Sequence, residues 1–229
     1  MLHLIKLELM KGRKSGYVWG ALIAYAIIAG LMLLVLFVDD TLEQVFPNDA
    51  EMLKIIDVLT RITFVVYASV LLSRLIIREY KDRTMELLFT YPVSRKKIIF
   101  AKLIIVAVWT FINIVISNLL ISTVMLFVNR MAGDIPMVMT SGSLFQHYLG
   151  SAVQALAAAG MSLLPLAFGM RRKSEAATIV SSIIIVAVIS SNNMGFSLSS
   201  IIAIPLTLAL LGVLVAYLSF RNIDHADIP

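Results

Sequence analysis

The chain has 229 residues, of which 60% are hydrophobic and 14% are charged, and its formal net charge at pH 7 is +5. A soluble domain carries about 25% charged residues, whereas continuous apolar runs of about twenty residues predict bilayer-crossing helices and exclude the alternating strands of an outer-membrane barrel. The sequence contains no cysteine, which excludes a disulfide framework and a thiolate metal site.

Residues 1–16 precede the first apolar run and are predicted to form an amphipathic elbow helix on the membrane surface. Leu2, Ile5 and Leu9 share one helical face, and the cations of the segment can contact anionic headgroups. These cations are Lys6, Lys11, Arg13 and Lys14. The alternative is a plain positively charged anchor without a surface helix.

The apolar runs predict an all-α membrane protein with six transmembrane helices, forming one membrane domain over residues 1–229. The predicted spans are approximately residues 17–38, 56–77, 98–128, 145–170, 175–191 and 198–220. The third and fourth are longer than the roughly 20 residues that a crossing needs, so we expect them to tilt or protrude. The fifth span is the shortest.

Lysine and arginine are concentrated on one side of the predicted membrane. The exceptions are Lys54, Arg61, Arg74 and Arg130, and the other cations lie in or beside residues 1–16, 78–97, 171–174 and 221–229. Because cationic loops stay in the cytoplasm, both termini are predicted to be cytoplasmic in a multi-pass protein of a prokaryotic plasma membrane. The opposite loop, residues 39–57, is acidic. The net charge therefore reflects topology and does not indicate a nucleic-acid partner.

The segment from Glu79 to Lys102 is the most charged run of the chain and is predicted to contain a short helix. Asp82 or Thr84 can cap the start of this helix, and its end is set by a proline. The residues with the i, i+3, i+4, i+7 spacing of one helical face are Met85, Leu88, Phe89 and Pro92. Such a helix has to bury its apolar face, either against its own bundle or against another subunit.

This segment resembles the first cytoplasmic loop of ABC-2 transporter permeases, the membrane subunits of type 2 ATP-binding-cassette exporters. The family pattern has an acidic residue, Gly-Thr, a leucine-rich turn, Pro, Ser-Arg and an apolar run that contains Lys. The matching residues are Glu79, Thr84, Glu86, Leu87, Leu88, Pro92, Val93, Ser94, Arg95 and Lys102. The sequence departs from the pattern at Arg83, where the family usually has Gly. The basic elbow, the six spans and the position of the loop resemble the family layout as well.

The resemblance implies that the loop is a coupling helix that docks into a groove on a separate ABC ATPase chain. The residues that it assigns to this contact are Glu79, Thr84, Met85, Glu86, Leu87, Leu88, Phe89, Pro92 and Arg95. A smaller second contact is assigned to Arg171, Arg172 and Lys173. A second permease chain, identical or homologous, is implied as a further partner. ATP and magnesium belong to the ATPase, so this chain is expected to bind no cofactor itself.

The sequence contains no catalytic or metal-binding pattern. It lacks the Gly-x-x-x-x-Gly-Lys-Ser/Thr phosphate loop, and its three histidines are isolated in the sequence. It also lacks the His-Glu-x-x-His and Gly-x-Ser-x-Gly motifs. We therefore predict a transport subunit and not an enzyme, with no catalytic residue and no metal ligand.

Polar residues inside the spans are candidates for a translocation path. Asp57 and Arg61 lie one turn apart and can pair near the outer end of the second span, and Gln154 lies among small residues that permit close helix packing. The path candidates on the third span are Thr110, Asn113, Ser117 and Asn118. The alternative for all of these residues is hydrogen bonding and packing between helices.

Taken with the family resemblance, the sequence predicts the permease subunit of an ATP-driven exporter. The expected cargo is hydrophobic or amphipathic, such as an antimicrobial peptide, a toxin, a drug or a lipid. The alternatives are a transporter that is not driven by ATP, a membrane assembly protein whose loop recruits a cytosolic partner, and a membrane enzyme.

Overall fold

The computed structural model describes most of the chain as a bundle of helices. The described residues are 14–36, 46–78, 95–132, 135–172, 174–190, 192–193, 196–197 and 203–220. The helices are α1 (Lys14–Leu36), α2 (Asp49–Leu72), α3 (Arg95–Ala132), α4 (Ser141–Met161), α5 (Pro165–Arg172), α6 (Glu175–Ser190) and α7 (Ala203–Phe220). A π-helical turn, Ser73–Ile77, continues α2. Two short strands, β1 (Asn192–Asn193) and β2 (Phe196–Ser197), pair antiparallel between α6 and α7.

Four stretches of the described helices are long and apolar enough to cross a membrane. They are Gly16–Leu36, Asp49–Ile77, Lys97–Met131 and Ser141–Arg172. The apolar helices α6 and α7 are shorter; at about 1.5 Å per residue, α6 is roughly 24 Å long against a hydrocarbon core of about 30 Å. The all-helical membrane class is confirmed, and the count of six complete crossings stays a prediction. Most of the predicted elbow helix, residues 1–13, lies outside the described residues.

Helix α2 begins one to two turns earlier than its predicted span. The side chain of Asn48 accepts a hydrogen bond of 2.9 Å from the backbone N–H of Glu51, which caps the helix. Asp49 and Glu51 lie in the first turn, where the positive end of the helix dipole favours carboxylates. The acidic residues that the sequence analysis placed in an external loop are thus partly the capped start of α2.

The predicted fourth span is divided into α4 and α5. Pro165 has no backbone N–H, so an α-helix cannot continue through it with all its hydrogen bonds. The chain instead makes tighter i→i+3 bonds, from Leu163 N to Gly160 O (3.2 Å) and from Leu164 N to Met161 O (3.0 Å). Pro165 then occupies the first position of α5, which is a favourable place for proline.

Among the residues that the structure describes, the buried apolar side chains form two clusters, one toward each end of the bundle. The first end, called here the Arg78 end, is where α2 finishes and α3 begins; Ile77, Ile99 and Leu166 pack together near it. The other end, called the Asp49 end, is where α2 begins; Phe46 and Met52 belong to the cluster on that side. Large apolar side chains are exposed along the outer faces of the helices, as lipid contact requires.

Helix α7 packs against α4 at a point where both helices carry small residues. A Cβ atom on Gly160 would lie 2.7 Å from Cβ of Ala209, and one on Gly212 would collide with the carbonyl oxygen of Gly160. The two backbones can approach this closely because glycine has no side chain, as is common between membrane helices.

We expect Gly160→Val to lower the free energy of unfolding by about 1–3 kcal/mol, because the added methyl groups push α7 away from α4. The measurement is the thermal unfolding midpoint of the purified protein in detergent. Gly150→Val is the matched control on the same helix, since a Cβ atom there meets nothing within 4 Å. Equal effects of the two substitutions would contradict the close-packing explanation.

Candidate functional site

Three hydrogen bonds join four polar side chains across α2, α3 and α4, and the backbone of α2 closes the loop between its first and last members. The Ser151 hydroxyl donates to Asp57 Oδ1 (2.6 Å), and Asn118 Nδ2 donates to Ser151 Oγ (2.8 Å). The Thr60 hydroxyl lies 2.9 Å from Asn118 Oδ1, 2.9 Å from the Ile56 carbonyl oxygen and 3.1 Å from the Asp57 carbonyl oxygen, so its one proton has three acceptors within reach. We call Asp57, Thr60, Asn118 and Ser151 the polar ring. It begins and ends on α2, and therefore joins three helices inside the bundle.

Helical spacing explains how the ring is assembled. Asp57 and Thr60 are three residues apart on α2 and project from the same face. On α4, His147 and Ser151 are separated by four residues and Gln154 follows three later, so all three point the same way. Asn118 reaches them from α3 at the seam between the helices. The ring members of each helix thus lie on the face that meets the neighbouring helices.

A second group of side chains surrounds the Asp57 carboxylate. His147 Nε2 lies 3.3 Å from Asp57 Oδ2, and both side chains are largely buried. Arg61, one turn further along α2, is buried with 7% of its surface exposed. The sequence analysis noted that Asp57 and Arg61 can pair, and the direct partners that the structure gives to the carboxylate are Ser151 and His147. Their positions on α4 could not be read from the spacing within α2.

A groove between α3 and α4 opens next to the polar ring. It has a volume of about 170 Å³. Its walls are mainly apolar, and Asn118, Tyr148 and Ser151 supply polar groups. The lining residues are Val115, Asn118, Leu119, Phe145, Tyr148, Leu149, Ser151 and Ala152. Since Asn118 and Ser151 also belong to the ring, the ring forms part of the wall of this groove.

The path residues predicted on α3 do not all lie at this site. Asn118 is a member of the polar ring, whereas the Thr110 hydroxyl donates to the Val106 carbonyl of its own helix (2.8 Å). Asn113 accepts from the Tyr25 hydroxyl of α1 (2.6 Å) and donates to the Trp109 carbonyl. The hydroxyl of Ser117 is buried and has no hydrogen-bond partner among the described residues. A role of these residues in translocation stays a prediction.

A buried lysine joins α3 to the π-helical turn at the Arg78 end. Lys102 of α3 has no exposed surface, and its Nζ donates a 2.8 Å hydrogen bond to the Leu75 carbonyl oxygen in the π-helical turn. Gly169 of α5 packs tightly against Thr178 and against Ile77. Arg171 and Arg172, which follow on α5, are exposed at this same end. Of the predicted second contact, Lys173 lies outside the described residues.

The predicted coupling helix cannot be described. Residues 79–94 lie outside the described part of the chain, and this covers every proposed coupling residue except Arg95, which begins α3. The positions on either side, Arg78 and Lys97, are exposed helical residues at the same end of the bundle. The assignment of this loop as an ATPase contact therefore stays a prediction.

The Asp49 end carries a polar contact that the sequence analysis did not identify. The Asp49 carboxylate accepts hydrogen bonds from the backbone N–H groups of Val138 (2.9 Å) and Met139 (3.0 Å). Asn129 exchanges two further bonds with the backbone of Ile135, of 3.1 and 2.9 Å. These bonds fasten residues 135–140 over the end of the bundle. Residue spacing in the sequence does not predict these hydrogen bonds, because they join side chains to backbone groups of an irregular segment.

Comparisons with known proteins confirm the family that the loop and the layout indicated. The family model described as ABC-2 family transporter protein matches residues 4–191. The chain is 44% identical over 227 residues to the uncharacterized protein YcbO of Bacillus subtilis (strain 168), a match that covers 99% of this chain and all of that protein. No solved structure matches the chain. The protein thus belongs to the ABC-2 family of transporter membrane proteins.

Proposed function

We propose that this chain is the permease subunit of an ATP-driven exporter and works with a separate ABC ATPase and a second permease chain. The observation that carries the proposal is the family match over residues 4–191, which includes all four long helices and the loop between α2 and α3. Permeases of this family generally pair with an ABC ATPase. The Lys and Arg distribution supports a cytoplasmic position for the Arg78 end.

The contacts at the Arg78 end support a mechanical role for residues 79–94. The segment connects the end of α2 to the start of α3, and the bond from Lys102 to the Leu75 carbonyl ties these two helices together beside it. A displacement of the segment by the ATPase is therefore passed to α2 and α3 as a pair. The exposed Arg171 and Arg172 at the same end support a second contact with the ATPase.

The polar ring extends this link deeper into the bundle. Because α2 and α3 are both bonded to α4 through Ser151, a movement of the pair strains or breaks the ring. We infer that the ring holds the resting arrangement of the three helices and reforms after each cycle. The neighbouring groove, with apolar walls and a few polar groups, favours hydrophobic or amphipathic cargo, such as a peptide antibiotic, a toxin, a drug or a lipid.

The test is whether Leu88→Asp separates the permease from its ATPase. A carboxylate on the apolar face of the predicted coupling helix would be buried without a partner, which is strongly unfavourable. We expect the tagged variant to reach the membrane in normal amount and to retain less than about a tenth of the ATPase, a loss of at least roughly 1.4 kcal/mol of binding free energy. Copurification followed by immunoblotting of the ATPase measures this.

Met131→Asp is the matched control, because it places the same charge on an exposed residue at the opposite end of the bundle. It should leave copurification unchanged. If the Leu88→Asp variant copurifies with as much ATPase as the wild type does, the assignment of residues 79–94 as the coupling contact is wrong. A wild-type complex that contains no phosphate-loop protein would instead favour a transporter that is not driven by ATP, or an assembly protein.

A further inference from the structure

A small polar cavity lies beside the polar ring, and two of the residues that line it each carry an unpaired buried atom. Arg61 Nη1 and Gln154 Oε1 are both shielded from solvent, and neither has a hydrogen-bond partner in the part of the chain that the structure describes. Both residues line the cavity, together with the carboxylate residue Asp57. The complete lining is Asp57, Arg61, Ile114, Asn118, Ser151, Gln154 and Ala155. Unpaired buried polar atoms are strongly disfavoured, so a ligand is expected between them.

The size of the cavity limits what this ligand is. The cavity has a volume of about 10 Å³, which is close to the smallest space that holds one water molecule. An acyl chain, a sugar or a phosphate group is too large for this space. The ligand is therefore a single small molecule or ion.

The chemistry of the walls selects among the small candidates. Arg61 Nη1 requires an acceptor and Gln154 Oε1 requires a donor, so the ligand has to do both. An anion cannot donate to Gln154 and is repelled by Asp57. A metal cation cannot accept from Arg61 and is repelled by the guanidinium. Water accepts one hydrogen bond from Arg61 and still has two protons to donate.

We propose that this cavity is a binding site for one structural water molecule, which accepts from Arg61 Nη1 and donates to Gln154 Oε1 and to the Asp57 carboxylate. The water completes a water-mediated ion pair between Asp57 and Arg61 and extends it to α4. Because Arg61 lies on α2 and Gln154 on α4, the site exists only while these two helices are in contact. Water thereby allows a charged side chain to be buried within a membrane-spanning helix.

A double-mutant cycle on Arg61 and Gln154 tests the bridge. Gln154→Leu removes one of the water's two acceptors and puts an apolar group against it, which weakens the contact of the buried guanidinium with the water, and we expect it to lower the melting temperature by roughly 3–8 °C. In the background of Arg61→Met, where the cation is gone, the same change should have almost no effect. Gln146→Leu is the control, an exposed position on the same helix. An equal shift in both backgrounds, or no shift in the wild type, overturns the proposal.

A structure of the intact protein in a lipid nanodisc, at about 2 Å resolution, provides a second measurement that does not depend on the variants. The expected result is a single solvent peak within about 3.2 Å of both Arg61 Nη1 and Gln154 Oε1. A direct hydrogen bond between the two side chains overturns the proposal, and so does a cavity without density. Since neither experiment uses ATP or a partner, failure here is distinguishable from failure of the proposed transport function.

Discussion

Replacing Asp57 by leucine is expected to lower the melting temperature by roughly 3–8 °C and to reduce transport by the reconstituted complex about tenfold. The carboxylate is the final acceptor of the polar ring, so its removal leaves the Ser151 hydroxyl unpaired and deprives His147 of its neighbour. The apolar leucine side chain offers no acceptor to the hydroxyl, and the hydrocarbon around the bundle supplies none either. An unpaired buried group costs about 1–3 kcal/mol, and about 1.4 kcal/mol corresponds to a tenfold change in rate.

The conservative variant Asp57→Asn tests whether the effect of Asp57 comes from its hydrogen bond with Ser151 or from its negative charge. Its amide oxygen can still accept from Ser151, so we expect it to keep most of the stability that Asp57→Leu loses. Glu51→Leu is the matched control on α2, because Glu51 pairs with Lys54 at an exposed position and such pairs contribute little. Melting curves and transport assays on the same three preparations give the result. If asparagine is as damaging as leucine, the ring acts through its charge and the hydrogen-bond account is wrong.

The sequence predicted well the features that depend on neighbours along one helix. Continuous apolar runs located the helices, and spacing placed Asp57 and Arg61 on one face of α2. Asn118 was identified as a polar residue inside α3, where it proves to be a ring member. These inferences succeed because residues three or four apart are fixed relative to each other by helical geometry alone.

Features that depend on the register between helices could not be predicted. Ser151 looked like one of several small packing residues, and only the packing of α4 against α2 shows that its hydroxyl meets Asp57. His147 was isolated in the sequence for the same reason. The proline at position 165 is evident in the sequence, but the apolar run continues on both sides of it. Hydropathy alone does not distinguish one long helix from two shorter ones.

Lys102→Met is the second substitution for which we expect a large effect, and it should act on coupling more than on stability. Methionine preserves an unbranched apolar stem but removes the amine that donates to the Leu75 carbonyl. Loss of one buried hydrogen bond to a charged donor corresponds to about 1.5–3 kcal/mol. The π-helical turn that carries Leu75 is then no longer held by this bond to α3, so displacement of residues 79–94 no longer moves α2 and α3 together. We expect ATP hydrolysis to continue while cargo transport falls at least about tenfold.

Lys97→Met is the matched control, because it makes the same change on the same helix at an exposed position. Reconstituted vesicles that report ATP hydrolysis and cargo transport side by side measure the ratio of the two rates. If transport per hydrolysed ATP falls for Lys102→Met and not for Lys97→Met, the bond couples the movement of α2 to that of α3. If ATP hydrolysis and transport fall in parallel, the contact with the ATPase itself was lost. An unchanged ratio with a lowered melting temperature would show that Lys102 only stabilises the fold. Removing the bond from Lys102 to the Leu75 carbonyl therefore tells whether the Arg78 end only stabilises the fold or also couples ATP hydrolysis to transport.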